Sequence, residues 1–311
     1  MSQRFYFTFR AMGCAVEAAL ETDADGTALL AAVPAQVETI EALLSRFRPE
    51  SELSRLNKQS GTWVQVSDIL FQNVALAKHA ARITDGLYNP LVLPALVANG
   101  YDRSFENLTS SAALRSSAPQ KTVEDWQQIK LRPKTLEVLL PTGSAIDLGG
   151  IAKGWTAALI ADQLAQFGAC LISIGGDIAV RGAPSGQSGW LVKVANPNAD
   201  QPVCEVTLSN TSIVTSGVDY RRWQTTDGQT HHHIVDPRTG QSAATDVRTV
   251  TIIHPHAPTA EAYSKAVLLL GSQAGLEWLN QQWDAAGMVV SENGTVYATS
   301  NWLNIMESPR V

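Results

Sequence analysis

The run in this sequence best suited to chemistry is Asp147-Leu148-Gly149-Gly150-Ile151-Ala152-Lys153-Gly154-Trp155. Its pattern predicts a strand over 145–148, a paired-glycine turn and a helix from Ile151 to Phe167. Such a turn gathers backbone N–H groups at the positive end of a helix dipole, and glycines let an anion approach closely. A phosphate or pyrophosphate suits that spot, with Lys153 adding a charge. The same residues also make a tight strand-to-helix turn with a surface lysine, and the glycines alone favour that plainer reading. Their spacing fails the GxGxxG dinucleotide fingerprint.

A second group is His231-His232-His233, followed by Asp236-Pro237-Arg238-Thr239-Gly240. Consecutive strand residues alternate faces, so at most two of the three histidines point one way and a three-histidine metal site is not expected. One inward histidine would serve as a general base near neutral pH, although histidines on an exposed hairpin are more often inert. Arg238 would pair with a phosphate or hold Asp236. His254 and His256 flank Pro255 at the entry to a helix and receive no role.

These residues need elements to position them. The first stretch, 4–21, reads as two strands joined near Met12-Gly13. Apolar residues at helical spacing predict one long helix from Leu29 to Phe47, and a second over Ser67–Ile83 with Ser67 or Asp68 as its cap. Two short strands are expected over 129–140, and a surface insertion at 107–120. Further strands follow at 170–174, 178–181, 190–195, 203–208 and 212–215. A hairpin spans 220–235, a strand 247–254 leads into a helix over 259–270, and a last hairpin turns at Asn293-Gly294. Strands and helices mix without a βαβ rhythm, which predicts an α+β fold in one composite domain, 1–311.

Composition narrows the partners. Of 311 residues, 45% are hydrophobic and 17% charged, as in an ordinary folded protein. A net charge of −6 gives no basic footprint for nucleic acid. Cys14, Cys170 and Cys204 are widely spaced and read as reduced thiols. No apolar run is expected to reach the ~20 residues of a membrane-spanning helix. The N-terminus lacks the apolar core of a leader, so Cys14 is not read as a lipidation site and a cytoplasmic protein is expected.

Taken in order, several blocks resemble the ApbE family of FAD:protein FMN transferases. They are Ala11-Met12-Gly13, Ser51-Glu52-Leu53-Ser54-Arg55-Leu56-Asn57, Asp85-Gly86-Leu87-Tyr88-Asn89-Pro90, the Asp147–Trp155 run and Ser173-Ile174-Gly175-Gly176-Asp177-Ile178. Thr215-Ser216-Gly217 with Tyr220-Arg221-Arg222, and His233–Gly240, complete the set. Val218 is an extra residue in the usual Ser-Gly-Asp-Tyr block. The resemblance implies an ApbE-like mixed sheet with packed helices. FAD would be cleaved at its pyrophosphate, FMN passed to a Thr or Ser hydroxyl of an acceptor protein, and AMP released with magnesium present. It further implies that Met12, Tyr88, Gly149, Trp155 and Val235 line the FAD site. Phe47 stands where the family often has a flavin-contacting tyrosine. His233 matches the histidine that activates the acceptor hydroxyl, and Ala152 offers a carbonyl to the metal.

One block departs from the family. Its metal motif Ala-Asp-Ala-Leu-Ser-Thr-Ala reads here Ala260-Glu261-Ala262-Tyr263-Ser264-Lys265-Ala266. The resemblance carries metal ligation to Ala152, Glu261 and Ser264. Lys265, in place of the threonine, brings an ammonium with no lone pair to offer. Glu four residues before Lys is the favourable order for a helical ion pair. The expectation is therefore that Glu261 holds Lys265 and that Lys265 faces the FAD phosphates. A surface Glu–Lys pair, with the metal site lost, is the alternative. In that case the chain would bind FAD without transferring FMN; hydrolysis of FAD without an acceptor protein is a further reading.

Overall fold

Alternating aromatic and polar residues in Gln3–Ala11 form a nine-residue strand that pairs antiparallel with Cys14–Thr22. The chain reverses at Met12-Gly13, both left-handed at φ 51° and 67°, a conformation that costs a side chain like that of Met12 steric strain. This hairpin opens a computed structural model that describes residues 2–108, 125–225 and 228–307. The chain divides into two compact units. One comprises Met1–Glu38, Lys153–Gly217 and Thr245–Val311, the other Thr39–Ala152 and Val218–Ala244.

The first unit is built on an eight-stranded sheet. Its strands lie side by side in chain order: Gln3–Ala11, Cys14–Thr22, Ala169–Ile174, Asp177–Arg181, Thr211–Gly217, Val247–His254, Ala286–Ser291 and Val296–Ala298. Every neighbouring pair is antiparallel. Residues of opposite parity serve two cores. Leu20, Cys170, Ile172 and Ala179 pack with Ala157, Ile160 and Leu164 of the helix Ala152–Leu164. On the opposite face, Ala19 and Val180 pack with Trp190, Val192, Val206 and Leu208 of a separate two-stranded ribbon. With both faces covered, Ala286–Ser291 is buried at every position, so it shows no alternation of apolar and polar residues. The helix Ala257–Leu270 packs on Thr211–Gly217 and Val247–His254.

The second unit holds a three-stranded sheet in the order Trp63–Gln65, Glu137–Leu139, Lys130–Arg132. The helices Glu52–Lys58 and Asp68–Ile83 begin at Ser51 and Ser67, whose hydroxyls accept from Ser54 N and Leu70 N. The hydroxyl takes up an N–H that the first helical turn leaves unpaired. A small core gathers Ala95, Leu96, Tyr101, Leu108, Trp223 and Val235.

The α+β expectation holds, with four local corrections. The long helix over 29–47 is two, Gly26–Ala31 and Val33–Leu44. Pro34 lacks an N–H to bond back, so it suits the first turn of the second helix and not the middle of a longer one. Phe47 lies beyond the helical span. By length and composition 26–44 does reach a membrane-spanning stretch, against expectation. It is nevertheless interrupted at Ala32, and Leu30, Val33 and Val37 pack into the first unit's core. Residues 145–148 form no strand. The Asn57 side chain bonds both the N–H and the carbonyl of Ile146, and Asp147 N donates to Pro90 O, which satisfies that backbone without a ladder. Of the expected insertion at 107–120, Asn107 and Leu108 belong to the short helix Phe105–Leu108, with Leu108 buried, and the rest lies outside the described residues.

Candidate functional site

In the first unit two lysines meet two buried acids. Lys153, in the first turn of Ala152–Leu164, forms an ion pair with Asp177. Asp177 opens its strand directly after Gly175 and Gly176, both at positive φ, where a side chain would be strained. Glu261, on Ala257–Leu270, uses both carboxylate oxygens. Oε1 accepts from Gly154 N at 2.8 Å, and Oε2 accepts from Lys265 Nζ at 3.1 Å. Lys265 Nζ also donates to Glu261 O at 3.2 Å and reaches Ser216 Oγ at 3.5 Å. Ser264 Oγ donates to Glu261 O at 2.8 Å and lies 2.7 Å from Ser216 Oγ.

The layout follows from helix chemistry. Gly154 N–H belongs to the first turn of its helix, where no carbonyl precedes it, and a carboxylate there also meets the positive dipole end. A Cβ on Gly154 would stand 2.8 Å from Glu261 Oε1, so glycine is what lets the acid reach the backbone. The acids are more deeply buried than the lysines. The side chains of Asp177 and Glu261 are each 2% exposed, against 19% for Lys153 and 16% for Lys265. Burial pushes the Asp177 carboxyl up, Lys153 opposes the shift, Glu261 adds to it and Lys265 opposes it. Trp155 follows half-buried, and Met12 packs against the first unit's core.

The glycine turn itself lies in the second unit, and three of its donors are engaged. Gly149 N donates to Asp147 Oδ1 at 2.6 Å, and Ile151 N and Ala152 N donate to Leu148 O. With Gly154 N on Glu261, this corrects the expectation that these N–H groups stand free for an anion. Asp147 is held in turn by Arg46 Nε at 2.6 Å. The Arg46 guanidinium lies over the rings of Phe47 and Tyr101, 4.1 and 4.6 Å from their centroids. Tyr101 lies tilted against Trp223 and Trp223 stacks on His231, so Phe47, 40% exposed, heads a chain of aromatic contacts. Tyr88 and Val235 are buried, and Val235 belongs to the aromatic core.

The three histidines separate. His231 and His232 sit on the strand Thr230–His232, both buried. His231 stacks on Trp223, and its Nδ1 lies 3.4 Å from Ser242 Oγ. His232 Nε2 lies 3.0 Å from Ala243 O and its Nδ1 accepts from Ile234 N, which assigns the proton to Nε2. His233 follows the strand and is half-buried. Arg238 is exposed and forks onto Asp236 with contacts of 2.7–3.1 Å, so of its two expected roles it performs the second.

Burial lowers the pKa of His232, with the Ala243 carbonyl opposing and Arg222 assisting. The unfolded chain therefore takes up a proton that the folded ring refuses. Stability should be lost as pH falls from the ordinary histidine value, about 6.5, towards the lowered one. Urea unfolding between about pH 7.5 and pH 5.5 should show a smaller loss in His232→Gln than in wild type. Equal losses would show that the ring is not held neutral.

Magnesium does not fit the first-unit cluster. It demands six oxygens near 2.1 Å, whereas both Glu261 oxygens are bonded to N–H donors and the two serine hydroxyls to one another. Among the described residues no group of three or more His, Cys, Asp or Glu residues is placed to hold a metal ion. Sequence reasoning had matched Lys153, Glu261, Ser264 and Lys265 but gave no role to Asp177, Ser216, Arg46, Tyr101 or Trp223. Asp177 and Ser216 lie inside motifs that resemble the family, whereas nothing local marks Arg46 as the partner of Asp147. Burial pushes the Cys170 thiol up to about 12, which makes it a packing residue.

The model of the ApbE family matches residues 12–289. An FAD:protein FMN transferase of Treponema pallidum is 33% identical over 264 residues, covering 78% of this chain and 71% of that protein. One from Klebsiella pneumoniae is 28% identical over 270 residues, covering 85% and 82%. The crystal structure of an ApbE protein from Thermotoga maritima matches with a TM-score of 0.85 at 26% identity, covering 97% of this chain and 99% of that one. The apo form of the Pseudomonas stutzeri flavinyl transferase ApbE shares the fold, with a TM-score of 0.83 at 22% identity. With its motifs in order, its fold matched over 97% of the chain and its sequence aligned from the first hairpin to the penultimate strand, the chain belongs to the ApbE family.

Proposed function

We propose that this protein transfers FMN from FAD to a Thr or Ser hydroxyl of an acceptor protein. The observation that carries the reading is the family match over 12–289, with relatives named FAD:protein FMN transferase. In the reaction the acceptor oxygen forms a bond to the FMN phosphorus, the P–O bond to the AMP half breaks, and AMP leaves with the bonding pair. The hydroxyl proton passes to a base. His233 is assigned that part on its match to the family motif, while both nitrogens of His232 are engaged by Ala243 O and Ile234 N. Lys153 and Lys265 would balance charge on the phosphates.

Incubation with FAD and a threonine-bearing acceptor peptide tests the reading. The expected result is AMP release that requires the peptide, with the peptide gaining the mass of FMN. AMP and free FMN formed equally without peptide would make the protein a pyrophosphatase. Tight FAD binding with no AMP in either case would make it a carrier.

A further inference from the structure

We propose that Arg46 is a positioning residue for the flavin: its guanidinium holds the Phe47 ring as the surface on which the isoalloxazine stacks. The inference rests on the reading that FAD is the substrate.

Arg46 and Phe47 lie in the turn between the helices Val33–Leu44 and Glu52–Lys58, where no regular element orders their side chains. Arg46 is nevertheless enclosed, its side chain 6% exposed. A buried guanidinium is costly unless its charge and its N–H groups are engaged. Nε lies 2.6 Å from Asp147 Oδ2, and Nη1 donates to Tyr101 O at 3.0 Å. Nη2 is buried with no hydrogen-bond partner among the described residues. The guanidinium as a whole meets two rings instead, its carbon 4.1 Å from the Phe47 centroid and 4.6 Å from that of Tyr101. A planar guanidinium can stack on an aromatic face while its N–H groups bond oxygen in its own plane, which an ammonium cannot do.

Four rings run in contact from this point: Phe47, Tyr101, Trp223 and His231. The last three are 5%, 6% and 3% exposed, and Phe47 is 40% exposed. Phe47 is therefore the ring of the four that a ligand can reach. The inner members are anchored by polar atoms, since Tyr101 N donates to Leu96 O and Trp223 Nε1 to Asn99 O, both at 2.8 Å. A phenyl ring has no polar atom to tie it down, so its plane is fixed by what it packs against, here Arg46 and Tyr101. A flat apolar surface held in one orientation suits a flat heterocycle such as isoalloxazine. A ring ordered in advance also spares the cost of ordering it when the flavin binds. The same guanidinium reaches the glycine turn, because Asp147 accepts from Gly149 N at 2.6 Å. One side chain thus sets the ring against the turn.

FAD affinity, read by flavin fluorescence in a double-mutant cycle, tests the assignment. Arg46→Met alone would strand the Asp147 carboxylate, so the first variant is Arg46→Lys. It keeps a positive charge for Asp147 and loses the flat surface over the ring. Arg46→Lys is expected to weaken FAD by about 10-fold, and Phe47→Leu by about as much. In the Phe47→Leu background, Arg46→Lys should cost less than about 2-fold more, because the ring through which it acts is gone. Phe47→Tyr keeps a ring and should keep the full sensitivity to Arg46→Lys. The pair Arg46→Met with Asp147→Asn, which removes both charges, repeats the cycle should Arg46→Lys fail to fold. Losses that multiply when the Phe47 and Arg46 changes are combined would make Arg46 a support of the unit as a whole and overturn the inference. FAD bound as in wild type by Arg46→Lys or by Phe47→Leu also overturns it and leaves the transferase reading standing. Failure of wild type to bind FAD overturns both.

Discussion

Replacing Glu261 with alanine is expected to destabilise the fold by about 3 kcal/mol or more, because it strips a buried ion pair of one partner. Two donors lose their acceptor together. Lys265 is left with the Glu261 carbonyl and a long contact to Ser216, and Gly154 N–H faces an apolar gap at the start of its helix. The size of the effect comes from the stranded charge and not from the bond itself. Adding Lys265→Met should therefore return a large part of the loss, since replacing both members of a buried pair with apolar groups is often close to neutral. Urea unfolding of the two single variants and the double variant measures this as a cycle. Losses that simply add would mean that Lys265 is already solvated and that Glu261 matters only as a cap for Gly154.

His233→Ala is expected to keep FAD bound and to lower FMN transfer by about 100-fold or more, the usual contribution of a positioned base. The choice of His233 among three adjacent histidines rests on its place in the family motif. His231 lies against the Trp223 ring, and His232 donates to Ala243 O while accepting from Ile234 N, so both nitrogens of His232 are engaged. His233 comes after the strand ends, where alternation no longer fixes its side with theirs. Single-turnover AMP release with saturating acceptor peptide, beside FAD affinity, separates the chemical step from binding. Transfer at the wild-type rate would remove His233 from the reaction and leave it a loop residue.

Much of this architecture was readable in the sequence because its signals were local. Ser67 followed by an amphipathic run gave the Asp68–Ile83 helix and its cap, and Asn293-Gly294 gave the hairpin between Ala286–Ser291 and Val296–Ala298. The pair Glu261–Lys265 was legible for the same reason: both residues lie on one helix, four apart. What failed depended on partners distant in sequence. The apolar stretch 145–148 looked like a strand until Asn57, some 90 residues away, supplied its hydrogen bonds. The glycine turn looked like an open anion cradle because nothing near it announces that Glu261, 107 residues on, will take the Gly154 N–H, although Asp147, two residues before Gly149, was at hand. Helical periodicity over 29–47 outweighed one proline, although Pro34 decides where the first helix must stop.

The order of the strands has a consequence for synthesis. In the first unit Cys14–Thr22 pairs with Ala169–Ile174, and the whole second unit's larger segment, Thr39–Ala152, is translated between them. At about 5–20 residues per second, the N-terminal hairpin leaves the ribosome roughly 7–30 s before the strand that covers its open edge exists. During that interval Val16, Ala18 and Leu20, which end fully enclosed, have no helix Ala152–Leu164 to pack against. The second unit is in the same position, because Val218–Ala244 arrives only after Lys153–Gly217. The first unit thus waits for Thr245–Val311 and the second for Val218–Ala244, so neither can close while the segments before them are being made.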